Sequence, residues 1–117
     1  MRTVLIVDDS ALMRRMMGRI LSNNGYEVVG EATNGKIAVS KYEELSPDIV
    51  TMDVIMDEMT GIDALRVIMK ANKNAKVVMV SSMGQEIIVR DAILAGARGY
   101  IIKPYDEKLV LDTLGKL

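Results

Sequence analysis

TVLIVDD, residues 3–9, is a short, β-branched apolar run that stops on two aspartates, Asp8 and Asp9. DIVTMD, residues 48–53, repeats the pattern and stops on Asp53, and YIIKP, residues 100–104, ends in the same way on Lys103 before Pro104. Runs of this length and composition read as strands buried on both faces of a parallel sheet. Parallel strands deliver their C-terminal ends to one edge, and ligands bind in the crevice outside it. Three carboxylates and one ammonium are therefore expected together at one end of a sheet.

Working outward, EVVGEA, KVVMVS and GYIIK complete a set of five strand-like segments. Helical spacing fills the gaps: Leu12, Met13, Met16 and Ile20; Ala38, Tyr42 and Leu45; Leu65, Ile68 and Met69; Ile88, Ala92 and Ala95; Val110 and Leu114. Ser10 is placed to cap the first helix, Asn24-Gly25 to end it, and Gly96 to close the fourth. Gly35, Pro47, Gly61 and Gly84 supply the remaining short turns. Five β/α pairs without repeat or linker predict an α/β fold, a five-stranded parallel sheet covered on both faces.

At 117 residues the chain is expected to be one domain, residues 1–117, able to bury about two thirds of its unfolded surface. It contains neither cysteine nor histidine, which excludes disulfides, thiolate metal sites and a self-contained histidine phosphorylation step. Fifteen basic and sixteen acidic residues give a net charge of −1, so nothing marks a nucleic-acid or acidic-membrane surface. The first residues enter a strand without a signal peptide, and no apolar run approaches the roughly 18 residues of a membrane span. A cytoplasmic location is expected.

The acids suggest divalent-cation and phosphoryl chemistry. Mg2+ takes hard oxygen ligands at about 2.1 Å and keeps several waters, and carboxylates from two strand ends meet that need. Adjacent aspartates in an arbitrary sequence are usually a solvated turn. Here they end a strand, with Asp53 ending another, and that favours a site. Asp53 can ligate a cation or attack phosphorus as a nucleophile, and Lys103 can pair with the carboxylate or with phosphoryl oxygen. The Lys103–Pro104 bond is a candidate for the cis form. Ser81, at the end of the fourth strand, offers a hydroxyl to the same group.

VLIVDDSALMR, DIVTMDVIM with EMTGIDAL, VMVSSMG and AGARGYIIKPY together resemble the response-regulator receiver domain over essentially the whole chain. The resemblance implies a flavodoxin-like (βα)5 fold with strand order 2-1-3-4-5. It implies Asp53 as phosphoacceptor and Mg2+, or Mn2+ in its place, on Asp8, Asp9, Asp53 and the Ile55 carbonyl. Ser81 and Lys103 would hold the phosphoryl oxygens, and Ser81 and Tyr100 would form the switch. A histidine kinase or phosphotransfer protein would donate the group, and a protein target would bind afterwards. For the chemotaxis members of the family that target is a flagellar motor switch. The chain is expected to act as a monomer that catalyses only its own phosphorylation and dephosphorylation.

Three features of the sequence bear on this reading. Asp57 stands where the family usually has proline, and altered Mg2+ affinity with a more mobile loop is expected. Ile55 and Met83 flank the path of a hydrolytic water without a group to orient it, so slow self-dephosphorylation is expected. Arg14 and Arg15, beside Met13, Met16 and Met17, suggest a docking surface for the phosphodonor, against the plainer reading of a solvated helix face. The competing functional readings are a receiver within a larger or phosphorylation-independent regulator, and an aspartyl-phosphate phosphotransferase. The latter is disfavoured because position 55 is not acidic and no cap would enclose a substrate.

Overall fold

The computed structural model describes residues 1–117. Ten elements alternate along the chain: β1 Thr3–Val7, α1 Ala11–Ser22, β2 Glu27–Ala32, α2 Gly35–Leu45, β3 Ile49–Met52, α3 Gly61–Ala71, β4 Val77–Ser81, α4 Glu86–Leu94, β5 Gly99–Ile102 and α5 Glu107–Gly115. All five strands are parallel, in the order β2-β1-β3-β4-β5. Both expectations for the sheet are met. The β1–β2 register shifts after Val4, which pairs with Val28 while Leu5 pairs with Gly30.

Side chains alternate across each strand, so each strand feeds two cores. Leu5, Val7, Val50, Met52, Val77 and Met79 pack with Ala38 of α2, Leu65 and Ile68 of α3 and Ala92 of α4. Val4, Ile6, Ile49, Val78, Val80 and Ile101 pack with Met17 and Leu21 of α1 and Val110 and Leu114 of α5. The central strands β1, β3 and β4 are almost wholly apolar because they face helices on both sides. Thr51, within β3, carries a buried hydroxyl without a hydrogen-bond partner.

The helix boundaries follow local chemistry. Ser10, Asn34, Thr60 and Asp106 each accept a backbone N–H of the following helix through the side chain. Gly25 (φ 84°) and Gly96 (φ 114°) take the left-handed conformation after α1 and α4. At the other end of the sheet, Arg2 donates to the carbonyls of Leu114 and Leu117 at 3.2 and 2.7 Å.

One helix face differs from expectation. The buried residues of α1 are Met17 and Leu21, whereas Leu12 is 63% and Met16 43% exposed. Apolar residues run over half the circumference of this helix, so periodicity alone could not choose a face. The side laid against the sheet is the one that carries Gly18, where an added Cβ would meet Ile6 Cδ1 at 3.7 Å, an ordinary contact.

Candidate functional site

β1 and β3 are neighbours in register, Val7 opposite Met52. The next residues of both strands, Asp8 and Asp53, therefore leave the sheet side by side. Asp53 N donates to the Val7 carbonyl at 3.0 Å, and Asp8 N donates to Ala32 of β2 at 3.1 Å. Both aspartates are buried, while Asp9, one residue into the loop, is exposed. Carboxylate oxygens of Asp8, Asp9 and Asp53 lie within 4.8 Å of one another. The turn that lets adjacent acids reach one crevice is visible: Ser10 N donates to Asp8 Oδ1 at 2.9 Å, and Ser10 then caps α1.

Lys103 reaches this cluster from β5, its Nζ 2.7 Å from Asp8 Oδ2 and 3.2 Å from Asp53 Oδ2. The Lys103–Pro104 bond is cis. Asp53 Oδ1 accepts its neighbour Val54 N at 2.7 Å. Burial pushes the Asp53 carboxyl above the ordinary aspartate range and the Asp8 charge adds to this, while Lys103 and Val54 oppose it. Burial works against the Lys103 ammonium, but the hydrogen bond to Asp8 and the charges of Asp53 and Asp8 outweigh it and hold its pKa above the usual lysine value. Tyr105, half-buried nearby, is pushed up to about 12 by burial and by Asp8, so its phenol is neutral.

Three carboxylate groups around one gap, with a single ammonium beside them, suit the oxygen-donor preference of a hard divalent cation. The residues present fit such an ion.

Ser81 is buried at the end of β4, where its Oγ accepts Met83 N at 3.1 Å. The Tyr100 hydroxyl donates to the Met83 carbonyl. Ser81 and Tyr100 are therefore joined through one residue of the β4–α4 loop. Burial raises the Tyr100 pKa, so this phenol too is held as a donor.

The loop from β3 to α3 passes the site. Ile55 and Asp57 are exposed, Met56 is buried, and the Asp57 side chain forms no ion pair. Glu58 takes φ 73°, and Met59 N donates back to the Asp57 carbonyl at 2.8 Å, a γ-turn centred on a residue type that disfavours it. Gly35 N donates to Met59 O at 3.2 Å and Gly61 N to Val54 O at 2.7 Å, so both ends of the loop are pinned. A Cβ on Gly61 would lie 1.8 Å from the Asp53 carbonyl oxygen, and one on Gly35 2.5 Å from that of Met59. Both glycines read as ordinary turn formers in the sequence, yet each admits backbone close to the site.

Arg14 and Arg15 part company. Arg15 is exposed, but the Arg14 side chain is only 16% exposed. Its Nη1 donates to the Asp8 carbonyl at 2.7 Å and its Nε to Glu31 Oε1 at 2.9 Å. Arg14 thus has its Nε and Nη1 donors engaged inside the molecule. The surface beside Lys103 is instead an apolar depression of 250 Å³, bordered by Met13, Met16, Ser82, Lys103, Pro104 and Tyr105. A larger polar cleft of 610 Å³ lies at the opposite sheet edge, by Arg2, Asp48 and Lys76, and touches none of the acids. The chemistry marks the acidic crevice as the candidate site, whatever the relative size of the two clefts.

Comparison with known proteins agrees with the geometry. The chemotaxis protein CheY of Thermotoga maritima is 54% identical over 116 residues, 99% of this chain and 97% of that protein. CheY of Bacillus subtilis is 52% identical over 113 residues, covering 97% and 94%. Among solved structures, the CheX–CheY–BeF3–Mg2+ complex from Borrelia burgdorferi superimposes with a TM-score of 0.96 at 38% identity, covering 98% of this chain and 87% of that one. No helix here is long and apolar enough to cross a membrane. Residues 4–114 match the response regulator receiver domain, and the chain belongs to that family.

Proposed function

We propose that this chain is a phosphorylation-controlled switch of a chemotaxis two-component pathway, with Asp53 as its phosphoacceptor. The observation that carries the reading is the convergence of Asp8, Asp9 and Asp53 at one sheet edge with Lys103 bridging two of them.

Asp8, Asp9 and Asp53, with the Ile55 carbonyl, would hold Mg2+. When bound, the cation supplies positive charge that offsets the repulsion of the carboxylates and of an incoming phosphoryl group. An Asp53 carboxylate oxygen attacks phosphorus, the P–N bond of a kinase phosphohistidine breaks with its electron pair leaving on the imidazole, and an acyl phosphate remains. The Val54 N–H fixes one Asp53 oxygen. Lys103 already donates to the other and is free to follow charge onto the phosphoryl oxygens.

Ser81 has a hydroxyl proton to give to the new phosphate, and its backbone neighbour Met83 holds the Tyr100 hydroxyl. A shift of Ser81 toward the phosphate would therefore reach β5 through the β4–α4 loop and bias a two-state surface. The target is a protein that reads this surface, a flagellar motor switch by likeness to the CheY relatives. The same likeness supports a monomeric cytoplasmic protein that turns over no small substrate.

Intact mass after incubation with acetyl phosphate and Mg2+ tests this directly. A gain of about 80 Da, one phosphoryl group, that needs Mg2+ and disappears in Asp53→Ala is the expected result. No adduct on a chain shown to bind Mg2+ would refute small-molecule phosphorylation at Asp53.

A further inference from the structure

Arg14 is the one basic residue of α1 whose charge is spent inside the molecule. Its guanidinium spans two partners from different strands, the Asp8 carbonyl at the end of β1 and the Glu31 carboxylate near the end of β2. The Asp8 carbonyl belongs to the peptide that joins the two acids. Its neighbours are also fixed: Asp8 N to the Ala32 carbonyl, Asp8 Oδ1 to Ser10 N, and Arg14 N to the Ser10 carbonyl at 3.0 Å. The Arg14 fork thus closes a bracket round the Asp8–Asp9 peptide.

We propose that Arg14 is a positioning residue for the cation-binding acids, holding the Asp8–Asp9 peptide in the orientation that brings both carboxylates to Asp53. The proposal rests on the reading that this crevice binds a divalent cation. Glu31 completes the device by fixing the far side of the guanidinium, so that the fork cannot swing away from Asp8.

A positioning role and a bystander charge predict opposite signs. A nearby cation repels Mg2+, so deleting a mere charge would tighten Mg2+ binding. Deleting a positioning contact should loosen it, since partners that orient ligands are typically worth 10- to 100-fold in metal affinity.

The test is a Mg2+ titration of the unphosphorylated chain, followed by amide NMR shifts at Asp9 and Asp53, with urea unfolding in parallel. Arg14→Met is expected to raise the Mg2+ dissociation constant about 10-fold. Arg14→Lys keeps the charge but cannot bridge both partners, and is expected to fall between Arg14→Met and wild type. Glu31→Gln, an exposed and conservative change, should weaken binding about 3-fold, a fraction of that effect, and keeps the test open if Arg14→Met does not fold.

Tighter or unchanged Mg2+ binding in a folded Arg14→Met chain overturns the proposal, as does a lowered urea midpoint with unchanged affinity, the mark of a purely structural staple. Arg14→Lys equal to wild type overturns the forked bridge. A wild-type chain that binds no Mg2+ fails at the earlier step and overturns the cation reading itself.

Discussion

Two glycines, both replaced by alanine, should move the stability of this domain in opposite directions. At Gly61 the new Cβ would lie 1.8 Å from the Asp53 carbonyl oxygen, 2.8 Å from its carbon and 3.0 Å from Val54 Cα. All three are backbone, so no rotamer can yield, and the first turn of α3 must retreat by roughly 1.2 Å or more from the end of β3. Overpacking of this kind costs about 1–3 kcal/mol. Weakening the Gly61 N–H to Val54 hydrogen bond adds about 1 kcal/mol.

At Gly18, inside α1, the Cβ would meet only Ile6 Cδ1 at an ordinary 3.7 Å, and alanine gains about 0.8–1 kcal/mol of helix propensity. Urea unfolding followed by circular dichroism reads both. With a slope of about 1.5 kcal/mol/M, a 3 kcal/mol loss lowers the midpoint by about 2 M for Gly61→Ala, and Gly18→Ala raises it by about 0.5 M. A Gly61→Ala midpoint within about 0.5 M of wild type would refute the argument that the α3 terminus is wedged against the Asp53 backbone.

Glu58→Gly should stabilise by about 0.5–1 kcal/mol, since relief of the left-handed conformation outweighs the added freedom of the unfolded glycine; a loss in urea midpoint would contradict it. Thr51→Val replaces a buried hydroxyl that has no partner by a methyl of the same shape, and a gain of about 1 kcal/mol is expected in the same assay. Because burial raises the Asp53 pKa, its ionised form opposes folding when no cation is present. Asp53→Asn in EDTA should therefore melt above wild type at neutral pH. The gap should close as pH falls through the raised Asp53 pKa toward 3.8, and Mg2+ should raise the wild-type melting temperature more than that of the variant. With apolar Ile55 and Met83 beside the acceptor, the phosphorylated chain should lose its phosphate over minutes or longer, on the order of what a missing water-positioning contact implies; a lifetime of a few seconds by intact mass would disprove it.

Asp8, Asp53 and Lys103 were legible in the sequence because each stops an apolar run, and a run that stops at a sheet edge fixes its last residue in space. The five strands were legible for the same reason. The buried face of α1 was not: Leu12 and Met16 compete with Met17 and Leu21 at similar spacing. The contacts of Arg14 were not legible either, because its partners, the Asp8 carbonyl and Glu31, are brought to it by the pairing of β2 with β1. Gly35 and Gly61 could be seen as turns but not as close approaches, since what they approach is backbone 24 and 8 residues away in the chain. Local pattern reports which residues reach the edge, while tertiary pairing decides what each one then touches.

The Arg2 clamp on Leu114 and Leu117 ties the start of β1 to the end of α5, on the side away from the acids. A reporter or affinity handle fused at either end is thereby kept clear of the crevice, and a short bridge between the two would allow the chain to be opened in a surface turn elsewhere. Signalling chemistry at one pole and covalent attachment at the other can then be engineered independently.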